Sequence, residues 1–146
     1  MNHMEHRFST ACSAPPEQVW PLFIDLERWP DMTESITTLR RLDTGPVQVG
    51  TEALVKQPGL PRARWRVTEI DPGHSFIWET ANAGVTTIGS HFVTASGQGS
   101  EITLTLRLEG PLARPMNLIF GRLARRHVTM EMEGFRRTAE STAQAH

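Results

Sequence analysis

The chain has 146 residues, with one cysteine, no tyrosine and a single lysine. Each scarcity excludes something. Lone Cys12 cannot form an intrachain disulfide, so a reducing cytoplasm is the expected compartment. No supporting base stands near it, and Cys12 reads as a packing residue. Without tyrosine, no phenol is available as an acid. Apolar runs stop at three or four residues, against the roughly 20 a spanning helix needs, so no stable membrane insertion is expected. The opening Met1-Asn2-His3-Met4-Glu5-His6-Arg7 has no apolar stretch of the kind a signal peptide carries. A net charge of -1 supplies no overall field to draw in nucleic acid, so no nucleic-acid partner is expected. No G-x-S-x-G and no phosphate-binding glycine loop is present. The six histidines His3, His6, His74, His91, His127 and His146 form no HxH, HExxH or Cys/His spacing. Neither a metal nor a cofactor is expected.

What is present suits one globular α+β domain spanning 1–146, with an ordered core of about 7–140. Arg7 to Ser13 reads as a first strand. Ser13-Ala14-Pro15-Pro16-Glu17 is a helix start, since proline in the first turn wastes no hydrogen bond. Val19, Trp20, Phe23 and Ile24 give that short helix a buried side. Asp25 is placed to cap a second short helix through Trp29, ended by Pro30.

Then the period shortens. Ile36 to Leu42 and Thr51 to Gln57 are strand-like, separated by Asp43-Thr44-Gly45-Pro46. Ala63, Trp65 and Val67 alternate with Arg62, Arg64, Arg66 and Thr68, marking an antiparallel strand with one wet face. Ile70 falls out of register, which predicts a bulge near Thr68-Glu69. Asp71-Pro72-Gly73-His74 suits a type II turn, and Phe76, Trp78 and Thr80 share a face of the returning strand. Val85 to Ala95 is a strand whose inward side stays open. Ile102, Leu104, Leu106 and Leu108 should face inward, with Thr103, Thr105 and Arg107 in solvent. A long helix follows, from about Pro115 to about Glu140. Its apolar stripe is Met116, Ile119, Phe120, Leu123, Met130 and Gly134 at about 100° per residue.

Ala14-Pro15-Pro16-Glu17-Gln18-Val19-Trp20 and Asp25-Leu26-Glu27-Arg28-Trp29-Pro30 resemble the opening of the polyketide cyclase/dehydrase and lipid-transport (START-like) superfamily. Trp65-Arg66-Val67-Thr68-Glu69-Ile70-Asp71-Pro72, Phe76-Ile77-Trp78-Glu79 and Glu109-Gly110-Pro111-Leu112 follow its cadence over about residues 7–140. The resemblance implies a helix-grip fold: a curved antiparallel sheet of about seven strands around the long C-terminal helix, with two short helices after the first strand. It also implies a cavity between sheet and helix. Members bind lipids, polyketides, quinones or hormones, and a minority catalyse cyclisation or dehydration. Fold membership does not choose among these.

The residues themselves nominate a site. Trp20 and Trp29, at helical spacing, read as core anchors rather than a ligand platform. Trp65 and Trp78 are better ligand candidates. With Phe76, His91, Leu104, Leu106, Met116, Phe120, Leu123, His127 and Met130 they make up the expected ligand-binding set. His127 sits in the apolar stripe where Leu or Met is expected, with Glu131 at i+4 within hydrogen-bonding reach. A satisfied buried histidine is the plainer reading. A general base or ligand anchor is the sharper one, with His91 or Glu69 assisting. Arg114, Arg122, Arg125, Arg126, Arg136 and Arg137 form a basic surface, read first as a solvated helix face.

The expected function is the binding or carrying of a small hydrophobic ligand: a lipid, a polyketide or another aromatic. The alternatives are a cyclase or dehydratase using His127 as acid/base, and a protein-interaction module. An apolar lining favours the carrier and converging polar groups favour the enzyme. A large exposed apolar patch favours interaction, and a homodimer stays open.

Overall fold

The computed structural model describes residues 3–82 and 84–144. Strand β1 (His3–Cys12) is followed by helix α1 (Pro16–Ile24), a 3-10 turn (Leu26–Arg28) and helix α2 (Trp29–Met32). Six strands come next: β2 (Thr38–Arg41), β3 (Glu52–Lys56), β4 (Ala63–Asp71), β5 (Ser75–Asn82), β6 (Val85–Ser96) and β7 (Gly99–Glu109). Helix α3 (Ala113–Gln144) closes the order. All strand pairs are antiparallel, in the order β1-β7-β6-β5-β4-β3-β2. The sheet curves around α3, so the helix-grip architecture expected from the sequence is the one observed.

Local chemistry accounts for most of this. Pro16 opens α1, which buries Val19, Leu22 and Phe23. Trp20 and Ile24 are only half-buried, so Leu22 takes the inward place expected of Ile24. Asp25 makes no side-chain cap, and Pro30 does not end a helix. Pro30 instead sits in the first turn of α2, where its missing N–H costs nothing. The predicted bulge lies between Val67 and Glu69 and returns Ile70 to the core side. At the β4–β5 turn the His74 amide donates to the Asp71 carbonyl at 2.9 Å, with Gly73 at φ +84°. Between Ser96 and Gly99 the turn has only two residues.

Two expectations need correction. Thr103 and Thr105 face away from α3 yet are buried. β7 lies between β1 and β6, and its short threonines are roofed by longer neighbours. Thr103 pairs across to Phe92 and Thr105 to Arg7, while Ser9 and Thr103 share a hydroxyl hydrogen bond of 2.9 Å.

The second correction concerns α3, which spans 32 residues, about 48 Å at 1.5 Å each. Its buried line runs through Ala113, Gly121, Val128, Met132, Phe135 and Ala139. The mean direction of the predicted stripe lies about 130° around the helix from that line: Ile119 is 65% exposed, while Gly134 is buried. At Gly134, a member of the predicted stripe, the helix comes close to α2: a Cβ there would collide with the Met32 carbonyl oxygen.

Candidate functional site

Between the concave face of the sheet and α3 lies a cavity of about 320 Å³, at the small end of ligand sites. Its floor comes from alternate residues of the strands: Ala63 and Trp65 on β4, Trp78 and Thr80 on β5, Thr87, Gly89 and His91 on β6, Leu104, Leu106 and Leu108 on β7. This settles the inward side of β6, because Val85, Thr87, Gly89, His91 and Val93 share one face. Met116, Phe120, Ala124, His127, Val128 and Glu131 of α3 form the roof, and Gln57, Leu60 and Pro61 form part of the rim. The indoles of Trp65 and Trp78 lie 5.1 Å apart at 32°. Gly89 makes room for them, since a Cβ there would stand 3.3 Å from Trp78 Nε1.

At the inner end His91 is only 3% exposed. Its Nε2 lies 2.8 Å from Glu131 Oε1, and its Nδ1 lies 3.2 Å from the Phe76 carbonyl oxygen. A carbonyl oxygen only accepts, so the contact to Phe76 is a hydrogen bond when Nδ1 carries the hydrogen, and the contact to Glu131 is one when Nε2 carries it. As an imidazolium the ring donates to both, and as a neutral ring it donates from one nitrogen. The rings of Phe23, Trp29, Phe76 and Phe135 surround His91 at centroid distances of 5.7, 5.3, 5.0 and 6.1 Å. An aromatic wall of that kind excludes water and strengthens the pair.

His127 is buried and also lines the cavity, but it does not bond Glu131. Its Nε2 donates to the Pro58 carbonyl oxygen at 2.8 Å, and Nδ1 is buried without a partner among the described residues. Of the two partners open to a satisfied buried His127, backbone or Glu131, the backbone is the one observed, and Glu131 turns instead to His91 on β6.

Trp65, Trp78, His91, Leu104, Leu106, Met116, Phe120, His127 and Glu131 all border the cavity. Phe76 lies one layer behind, packed on His91 and Trp78. The rotation of α3 takes two expected residues out of the lining. Leu123 lies under the Pro58-Gly59 loop, its Cδ2 3.0 Å from where a Cβ on Gly59 would sit. Met130 borders a separate depression with Pro30, Met32 and Arg137. Glu69 is exposed on the convex face, because the bulge that turns Ile70 inward leaves Glu69 outward.

The profile of the family described as polyketide cyclase / dehydrase and lipid transport matches residues 5–140. The chain belongs to that family. No curated protein matches the sequence. Among solved structures it is similar to an aromatase/cyclase from a Streptomyces species, with TM-score 0.79 and 12% identity over 94% of each chain. Norcoclaurine synthase from Thalictrum flavum is similar at TM-score 0.74 and 14% identity, over 99% of this chain and 88% of that one. The di-domain aromatase/cyclase of the steffimycin pathway matches at TM-score 0.76 and 10% identity, over 98% of this chain and 52% of that one. At these identities the likeness shows a shared fold.

Within that family fold, the sequence reading missed three features of the site. Phe135 stands one turn beyond Glu131 on the same face and carries the aromatic wall. Trp29 lines the cavity as well as anchoring the core, its Nε1 donating to the Leu22 carbonyl at 3.1 Å. The partnership of His91 with Glu131 crosses 40 positions, beyond the reach of any local motif.

The resolved charge perturbations lie elsewhere. Hydrogen bonds from Arg64 hold the Glu52 carboxyl below its usual range, and those from Arg136 do the same for Glu133. Both acids lie outside the cavity lining. Among the described residues, no three His, Cys, Asp or Glu side chains are grouped to hold a metal, and no helix is long and apolar enough to cross a membrane. His146 lies outside the described residues.

Proposed function

We propose that this protein binds a compact, largely apolar ligand of two or three rings carrying one polar group, in the cavity under α3. A cavity of about 320 Å³ with mostly apolar walls suits an aromatic or polyketide-derived ring system. The observation that carries the reading is an apolar chamber with the His91–Glu131 pair at its inner end. Glu131 Oε1 is taken by His91, while Oε2 has no partner among the described residues and is free to accept from a ligand hydroxyl. The working compartment proposed is a reducing cytoplasm.

The Glu131 carboxyl at the cavity wall favours a second reading, acid/base catalysis of cyclisation or dehydration. In a dehydration, Glu131 Oε2 takes the proton from carbon and returns it to the departing hydroxyl, while His91 holds Oε1. The products are the alkene and water, and Glu131 ends as the carboxylate it began as.

Binding is tested by quenching of the emission of Trp29, Trp65 and Trp78 with naphthol and with naphthalene. Naphthol is expected to bind about tenfold tighter, because it alone can donate to Glu131. Equal affinities would remove the polar anchor, and no quenching by either would remove the binding reading. Native mass spectrometry of protein from its own host then identifies the natural occupant.

A further inference from the structure

Large apolar side chains are exposed on the first turns of α3 and on the residue before it. Leu118 is 87% exposed, Ile119 65% and Leu112 43%. Along this stretch of chain the charge is of one sign. From Gly110 to Met130 there is no acidic residue, although the whole chain carries a net charge of -1. Arg122, Arg125 and Arg126 are exposed and form no ion pair among the described residues. At about 100° per residue, Leu118, Ile119 and these three arginines share an outward arc of about 120°. Met116 and Phe120, on the same turns, border the cavity, so the patch adjoins its α3 wall.

We infer that the N-terminal half of α3 is a docking surface for an anionic lipid bilayer. Exposed aliphatic side chains interleaved with arginine are what an interfacial helix presents: the apolar groups enter the acyl boundary while guanidinium groups meet lipid phosphates. A second copy of this chain fits worse, because a two-fold contact would set Arg122, Arg125 and Arg126 against their own equivalents. Nucleic acid would take the arginines but gain nothing from Leu118 and Ile119. Docking of this kind would bring the chamber to the hydrocarbon phase where a poorly soluble ligand resides. The inference does not depend on the ligand's identity.

The test is sedimentation of the full chain with phosphatidylcholine vesicles and with mixed phosphatidylcholine–phosphatidylglycerol vesicles. Binding is expected to the mixed vesicles, to fall as salt rises, and to be weak on phosphatidylcholine alone. The double variant Leu118→Ser/Ile119→Ser is expected to lower the partition coefficient by about tenfold. Replacing Arg122, Arg125 and Arg126 by glutamine is expected to lower it roughly fivefold per arginine. None of these five residues borders the cavity, so naphthol quenching should be unchanged and separates docking from ligand binding. Absence of binding to anionic vesicles in the unaltered protein would overturn the inference. So would equal binding to neutral vesicles, or a solution dimer that Leu118→Ser/Ile119→Ser disperses.

Discussion

His91 Nε2 and Glu131 Oε1 meet at 2.8 Å, fastening the middle of the sheet to the middle of α3. The bond is charge-assisted in one of its proton forms and sits among aromatic rings, so losing either partner leaves the other buried and unsatisfied. Glu131→Ala is expected to cost about 2 to 3 kcal/mol. Glu131→Gln, which can donate its amide N–H to Nε2, should cost less than about 1 kcal/mol. Urea denaturation of the two variants measures the difference. Equal losses would mean the hydrogen bond contributes little.

His127 has a different role. Its Nε2–H satisfies the Pro58 carbonyl and holds the loop over Leu123. Substitution His127→Gln is expected to keep most of the stability, since an amide N–H can replace the ring donor, while His127→Ala costs about 1 to 2 kcal/mol. The loop should report the loss first, as faster hydrogen exchange of the Leu60 amide, which donates to the Gln57 carbonyl at 3.1 Å.

Gly89 controls the floor. A methyl group there meets Trp78 Nε1 at 3.3 Å, so Gly89→Ala should tilt the indole and shift its emission. Gly89→Val should fill space beneath the ligand and abolish naphthol quenching with the fold intact by circular dichroism. Unchanged quenching in Gly89→Val would place the ligand elsewhere.

Glu133 offers a pH test away from the cavity. Its carboxyl is held below the usual range by the Arg136 hydrogen bonds, so the folded state prefers the ionised form. The stabilisation is present above the unfolded-state value and is lost as pH falls through the lowered folded one. Because Glu133 is 44% exposed, the effect is below about 1 kcal/mol. Glu133→Gln should therefore reduce the melting temperature slightly at neutral pH and not at strongly acid pH.

The sheet was legible because its pattern has period 2 and its apolar members are large. Leu104 and Leu106 declared the inner face of β7, and the misfit of Ile70 declared the bulge. Helix α3 was legible in length but not in phase. Two stripes compete along it: a conspicuous one of Met116, Ile119, Leu123 and Met130, and a quiet one of Gly121, Ala124, Val128, Glu131 and Phe135. Hydrophobicity favours the first, yet the buried positions Ala113, Gly121, Val128, Phe135 and Ala139 follow the second, because burial is set by the elements packed on the helix and not by its own pattern. Burial of Thr103 was hidden for a related reason, because it depends on Phe92 and Ser9 in neighbouring strands.

Lys56 Nζ donates to the backbone carbonyls of Gln57 and Leu60, at either end of the rim loop that His127 also holds. Lys56 is also the only lysine. An amine-directed reagent therefore has a single side-chain target, and that target is a strut of the loop at the cavity rim. Acylation leaves one N–H in place of the ammonium's three, too few to serve both carbonyls, so one chemical step both tags and loosens the loop. A fluorophore attached there would register ligand arrival by its own change in mobility, with no cysteine introduced and no tryptophan disturbed.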